Sequence, residues 1–151
     1  MSALFDGLAN IRVLNDEIMP LKLPSGTLYF IGVTMDKFSG QDDYKLAHLV
    51  TELPTDVYSV LLYHSPAMLG DSNPRGVALF LSGHTHGGQV RLPLYGAIFT
   101  DTYIGKKYEM GEYTVGPLIL YVSRGIGMAG GFMPRVRFLC PPELVLVELG
   151  K

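Results

Sequence analysis

Residues 57–63 and 77–81 form two apolar runs that almost nothing polar interrupts. A strand with one wet face alternates apolar and polar side chains, whereas a short continuous run fits a strand covered on both faces. Such strands need a layer above and a layer below, which confines the chain to a layered fold with a sheet inside it. Each run leads into a histidine, His64 after the first and His84 after the second.

Most other apolar runs are short, rich in Val, Ile, Leu and Tyr, and bounded by Gly, Pro, Asn or Asp, so extended structure dominates, with about eight to ten candidate strands. Residues 11–14 and 18–23 flank the turn pair Asn15-Asp16, and Pro24-Ser25-Gly26 reverses the chain into residues 27–33, which reads as a meander. Further strands are expected at 106–113, 117–122, 135–139 and 144–149, with a Pro- and Gly-punctuated loop over 91–101. One helix is predicted, over 41–53. There Leu46, Leu49, Val50 and Leu53 keep helical spacing, Asp42 and Asp43 sit at the dipole-favoured start, and Pro54 stops it. Gly125, Gly127, Gly130 and Gly131 mark a tightly turned loop.

A chain of 151 residues with 48% hydrophobic and 17% charged residues is expected to fold as a single globular unit. A net charge of -2 with scattered Lys and Arg offers no basic stripe for nucleic-acid phosphates. No apolar run approaches the roughly 18 residues of a membrane span, and the first residues have no signal-like pattern. The single Cys140 excludes an intramolecular disulfide and is expected to be a buried structural thiol. The mean hydropathy of +0.24 is high for a free-standing domain, so part of the apolar surface is expected to face a partner.

The segment Leu79-Phe80-Leu81-Ser82-Gly83-His84-Thr85-His86-Gly87-Gly88-Gln89 carries the chemistry. In extended backbone, residues i and i+2 share a face, so His84 and His86 can present their rings together just past a strand end. Gly83, Gly87 and Gly88 let the chain turn sharply there. His64, followed by Ser65-Pro66, ends the other buried run and is a plausible third ligand, since rigid strands aim loop side chains into a crevice at their carboxyl ends. Neutral imidazole binds zinc, manganese and iron. An isolated His-x-His is more often surface decoration, and it is the placement after two buried strands that favours metal. His48 falls inside the predicted helix and reads as structural or exposed. Asp36, Asp42 and Asp43 are explained by turn and helix-start positions rather than by ligation.

Leu81 to Gln89 resembles the last metal-binding motif of the calcineurin-like metallophosphoesterases, and Leu62-Tyr63-His64-Ser65-Pro66 resembles the His motif that precedes it. Tyr121-Val122-Ser123-Arg124-Gly125-Ile126-Gly127 and Pro134-Arg135 are similar to the YkuE/YaeI-like phosphodiesterase branch. The resemblance covers roughly the whole chain; it is most specific over 61–89 and weaker before Gln41. It implies the C-terminal half of a four-layer α/β/β/α sandwich, β-rich in this portion, and two divalent metal ions, Mn, Fe or Zn. A bridging hydroxide would attack phosphorus in line with the leaving oxygen. It assigns His64 and His84 to one metal and His86 to the other. The substrates it implies are phosphomonoesters, phosphodiesters, and lipid-linked or nucleotide pyrophosphates.

The family also uses Asp-x-His, Gly-Asp and Gly-Asn-His-Asp/Glu motifs, which supply the bridging carboxylate and a histidine acid. Neither Asp-x-His nor Gly-Asn-His-Asp/Glu occurs in this sequence, and its one Gly-Asp pair, Gly70-Asp71, lies between the two histidine motifs and so outside the family order. In that order all three motifs precede Met1. The ligand set is therefore incomplete, and a missing N-terminal half is the expected partner; a membrane anchor in the parent protein would lie there too. Two readings stand together: a portion of a hydrolase whose chemistry returns with the other half, or a noncatalytic metal- or partner-binding remnant. A third is a mononuclear histidine-ligated zinc with an open water position, for which no general base is identifiable. Arg124 and Arg135 have the guanidinium fork that suits phosphate oxygens, though an ordinary ion pair explains them equally well. The tyrosines and Phe132 are candidates for a hydrophobic substrate groove, with core packing the simpler role.

Overall fold

The computed structural model describes residues 5, 7–36, 40–69, 76–130 and 135–150. The elements run β1 (Glu17–Leu23), β2 (Gly26–Gly32), α1 (Asp42–Thr51), β3 (Tyr58–Leu62), β4 (Leu79–Ser82), β5 (Arg91–Leu92), β6 (Gly96–Ala97), β7 (Gly111–Val115) and β8 (Leu118–Val122). Six strands form one mixed sheet in the order β1-β2-β3-β4-β8-β7. The inner four strands are mutually parallel, and β1 and β7 close the two ends as antiparallel hairpin partners. The two continuous apolar runs are the central strands β3 and β4, as their composition requires. This is the β-rich α/β class expected from the sequence.

A row of side chains crosses the parallel strands in register, Ile31 beside Leu61, Leu61 beside Phe80 and Phe80 beside Leu120. All four are 0% exposed. Helix α1 covers this face with Leu46 and Leu49, and the 3-10 turn Pro66–Leu69 adds Met68 and Leu69. Burial of each such aliphatic or aromatic side chain contributes about 1.5–3 kcal/mol, so this face supplies the main core. Asp42 and Asp43 occupy the first turn of α1 without a side-chain cap, and the Glu52 N–H closes the helix on the Leu49 carbonyl.

The opposite face carries a smaller cluster, Leu28, Val60 and Leu79 with Phe30 and Leu81 packed against it. Around it Leu21, Tyr58, Leu62 and Ile119 stay 41, 44, 36 and 38% exposed. These strands are apolar on both faces, and only one face is well covered among the described residues.

Four expected strands differ from the structure. Residues 11–14 make no ladder, and β7 begins at Gly111 because residues 106–108 are taken up in turns. Residues 135–139 contribute only an isolated parallel bridge, Val90 to Phe138. Residues 144–149 run without ladder partners. Their alternation nonetheless survives as exposure, Leu144 and Leu146 at 89 and 85% against Val145 and Val147 at 38 and 40%. Leu149 reaches the bare side of the sheet, where it lines a depression with Leu28 and Tyr58. The loop over 91–101 contains the short β5–β6 hairpin. Gly131, Phe132 and Pro134, singled out in the sequence, lie outside the described residues. No helix among the described residues is long and apolar enough to cross a membrane.

Candidate metal centre

His64 and His84 follow the carboxyl ends of the adjacent parallel strands β3 and β4. The backbone joins the two exits: the Gly83 N–H donates to the His64 carbonyl at 3.0 Å, and the Ser82 hydroxyl donates to the same oxygen at 3.1 Å. Beyond these bonds the imidazoles meet, with ring centroids 4.9 Å apart and planes inclined at 62°.

The turn that follows β4 is strained. His84, His86 and Gln89 have φ of 69°, 50° and 52°, a left-handed conformation that costs a non-glycine residue about 1–2 kcal/mol. Between them Gly87 and Gly88 also have positive φ, and neither has room for a side chain. A Cβ on Gly87 would stand 2.6 Å from Cys140 Sγ, and one on Gly88 2.3 Å from Ala97 Cβ. Thr85 anchors the turn, its hydroxyl donating to the Glu109 carbonyl at 2.7 Å and accepting from the Gly87 N–H at 3.3 Å. Strain of this kind persists where surrounding contacts over-determine it, and it clusters at functional sites.

His84 Nε2 lies 2.7 Å from the carbonyl of Asp101. A carbonyl only accepts, so Nε2 is the donor, and in the neutral ring this leaves Nδ1 as the nitrogen that can ligate, the arrangement in which a ligating imidazole is oriented from behind. Burial, then the positive charge of Arg137, hold His86 below the ordinary histidine value. Its ring is neutral at pH 7 and able to ligate. His84 and His86 line one cavity of about 300 Å³ with Thr85, Gln89, Phe99 and Asp101. In it Gln89 donates from Nε2 to the Ala129 carbonyl at 3.4 Å, and its buried Oε1 has no partner among the described residues.

The structure thus sets His64 against His84 and puts His84 and His86 on one cavity wall. Among the described residues, no group of three His, Cys, Asp or Glu side chains is placed to hold one metal ion. The donors fit part of a metal centre, neutral imidazoles with an oriented tautomer. They do not fit a complete two-metal site, because nothing in the set offsets the charge of two dications.

The other candidates have separate duties. His48 is exposed on α1, 3.5 Å from Glu52. Asp42 accepts from the Tyr63 hydroxyl at 2.6 Å and from the Asp36 N–H at 3.1 Å. It therefore joins α1 to β3, and burial followed by this bond raises the Tyr63 hydroxyl above the ordinary tyrosine range. Asp36, Asp42 and Asp43 line a second cavity of about 500 Å³ that also reaches His84. Arg124 is paired: its Nε donates to Glu143 Oε2 at 2.8 Å and its backbone N–H to Oε1 at 2.8 Å, with Nη2 also on Oε2. Burial pushes Glu143 up, and the bonds and charge of Arg124 outweigh it, so the carboxyl titrates below its ordinary value. Arg135 is exposed, and Cys140 is a buried free thiol as expected.

Sequence reasoning missed Arg137, whose guanidinium reaches the His86 carbonyl at 3.2 Å and the Arg124 carbonyl at 2.8 Å. No spacing pattern announces an arginine whose partners are almost all main-chain oxygens. Gln89 was visible as part of the histidine motif, but not as a buried side chain with an unpaired oxygen.

Comparison with known proteins gives relatives over most of the chain. It is 40% identical over 137 residues to the metallophosphoesterase YkuE of Bacillus subtilis, a match covering 91% of this chain and 46% of that protein. It is 32% identical over 141 residues to the phosphodiesterase YaeI of Escherichia coli, 93% of this chain and 48% of that one. To the UDP-2,3-diacylglucosamine pyrophosphatase LpxG of Chlamydia trachomatis it is 30% identical over 131 residues, 82% and 38%. The chain therefore spans about half the length, or less, of these curated relatives. No family model and no solved structure matches. Over the half that it matches, the chain belongs to the metallophosphoesterases, in the YkuE/YaeI-like branch.

Proposed function

We propose that this chain is the C-terminal half of a two-metal phosphoester hydrolase, with His64 and His84 holding one divalent ion and His86 the other. The observation that carries the reading is the His64–His84 ring pair at the ends of adjacent parallel strands, with His84 fixed through Nε2 by the Asp101 carbonyl. When bound, Mn, Fe or Zn would lower the pKa of water and neutralise phosphoryl oxygens. The chain's own part is to hold neutral imidazoles in place: the Asp101 carbonyl keeps the proton on His84 Nε2, and the Thr85 anchor keeps the strained turn closed. The bridging carboxylate and the acid for the leaving group would come from the N-terminal half, seated against the half-bare face of the sheet.

The substrate of this reading is a phosphodiester or pyrophosphate, small or lipid-linked. Relatives named phosphodiesterase and UDP-2,3-diacylglucosamine pyrophosphatase support that range. Arg124 would reach a phosphate only by sharing or leaving Glu143. The test is hydrolysis of bis(p-nitrophenyl) phosphate with manganese by the chain alone, and by the chain co-expressed with the N-terminal half of YkuE. Turnover is expected only from the combination, and lost with His84→Ala. Robust turnover by the 151-residue chain alone, abolished by His86→Ala, would overturn the half-site reading.

A further inference from the structure

We propose that Arg137 is the positioning residue of this centre, fixing the backbone of His86 so that its ring stays where a metal would take it. The inference rests on the reading of His86 as a ligand. A guanidinium has five N–H donors and no acceptor, and here they go to main-chain oxygens from three segments and to the Cys140 sulfur at 3.7 Å. Nη1 reaches the carbonyls of His86 and Cys140, each at 3.2 Å. Nη2 reaches those of Arg124 at 2.8 Å and Gly125 at 3.3 Å, and Nε that of Gly127 at 3.2 Å. One side chain thus joins the histidine turn, the glycine-rich loop after β8 and the C-terminal segment.

Neighbouring contacts restrict the same turn. The Phe138 N–H donates to the Gln89 carbonyl at 2.9 Å, the Arg91 N–H to the Phe138 carbonyl at 3.0 Å, and the Cys140 thiol to the His86 carbonyl at 3.3 Å. Residues 137–140 therefore lie laced along the turn, and Arg137 is their one cation. Its carbonyl partners come from residues 86, 124, 125, 127 and 140, and the fixed fork of the guanidinium meets them together. A lysine, a point charge with three rotatable donors, cannot. Without the fork, the left-handed φ of His86 has lost a hydrogen bond that holds it, and the Arg124 and Gly127 carbonyls, which also hydrogen-bond the His86 ring, have lost the cation that fixes them.

The experiment uses the 151-residue chain, with Zn²⁺ as probe, followed by calorimetric titration and by long-range ¹H–¹⁵N spectra of the histidine rings without metal. Wild type is expected to give one sharp His86 ring state. Arg137→Ala is expected to broaden or split it and to weaken Zn²⁺ binding about 10–100-fold, the usual loss on removing an outer-shell partner. Millimolar methylguanidinium should restore the alanine variant, and methylammonium should not. Arg137→Lys, which keeps charge and most packing, is measured alongside in case the alanine variant does not fold, and is expected to show the same His86 signature. Variants that melt earlier but keep a sharp His86 signal and wild-type affinity would reduce Arg137 to a structural tie and overturn the proposal while leaving the metal reading intact. Failure of wild type to bind Zn²⁺, with His86→Ala indistinguishable from it, would overturn both.

Discussion

His64 and His84 face each other edge to plane, 4.9 Å between ring centroids, because two buried parallel strands end side by side. The main chain sets this meeting: Gly83 donates to the His64 carbonyl, so the rings leave adjacent exits in one direction. His64→Ala and His84→Ala are each expected to weaken Zn²⁺ or Mn²⁺ binding at least tenfold, while His48→Ala leaves it unchanged. Calorimetric titration of the three variants checks this, and equal affinities across them would remove both histidines from the centre.

The buried row Ile31, Leu61, Phe80 and Leu120 is expected to dominate stability. Leu61→Ala should cost about 2–5 kcal/mol and Phe80→Ala about 3–5 kcal/mol, the range for large-to-small changes in a packed core. Urea unfolding gives both values. A loss below ~1 kcal/mol at either site would mean that the parallel strands are not the centre of the core.

Glu143 gives the chain a specific acid limb. Its folded pKa lies below the ordinary 4.5, so the unfolded state takes up a proton first as pH falls. The stability from the Arg124–Glu143 pair is thus complete above about pH 4.5 and is lost as pH drops through the folded value. Glu143→Gln should flatten this part of the stability profile. It also removes the carboxylate charge beside Arg124, so inorganic phosphate binding should strengthen if Arg124 serves phosphate. An unchanged phosphate affinity would take Arg124 out of that role.

The parts of the fold that the sequence revealed are those decided by a segment's own composition. Residues 57–63 and 77–81 are apolar but for Ser59, so β3 and β4 followed without knowledge of their neighbours, and the histidines at their ends followed from them. Residues 144–149 alternate as a strand should, yet strand formation also needs a partner edge, and none among the described residues pairs with them. Residues 106–113 read as one strand, yet only the part from Gly111 joins a ladder. In the structure Lys106 donates to the Tyr95 carbonyl at 2.6 Å and ion-pairs with Glu109, contacts that stabilise turns instead. The anchoring of the histidine turn by Arg137 was hidden for the same reason, since it depends on carbonyls gathered by tertiary structure.

The half-bare face of the sheet yields the last prediction. Leu21, Tyr58, Leu62 and Ile119 surround Leu28, Val60 and Leu79, and remain between 36 and 44% exposed. Apolar surface left in water forfeits about 25 cal/mol per Å², so a few hundred Å² amounts to several kcal/mol, comparable with a domain's stability of ~5–15 kcal/mol. Residues 144–149, without ladder partners among the described residues, add main-chain groups that a further strand can pair with. The isolated chain is therefore expected to self-associate, and co-expression with an N-terminal half carrying the Asp-x-His, Gly-Asp and Gly-Asn-His motifs is expected to raise both its solubility and its metal affinity. Ile119→Lys, on the bare face, should reduce self-association of the isolated chain and impair assembly with that half, with light scattering reporting the first and co-purification the second. A monodisperse wild-type monomer melting cooperatively above about 60 °C without metal, past the middle of the mesophile range, would show that this face needs no cover.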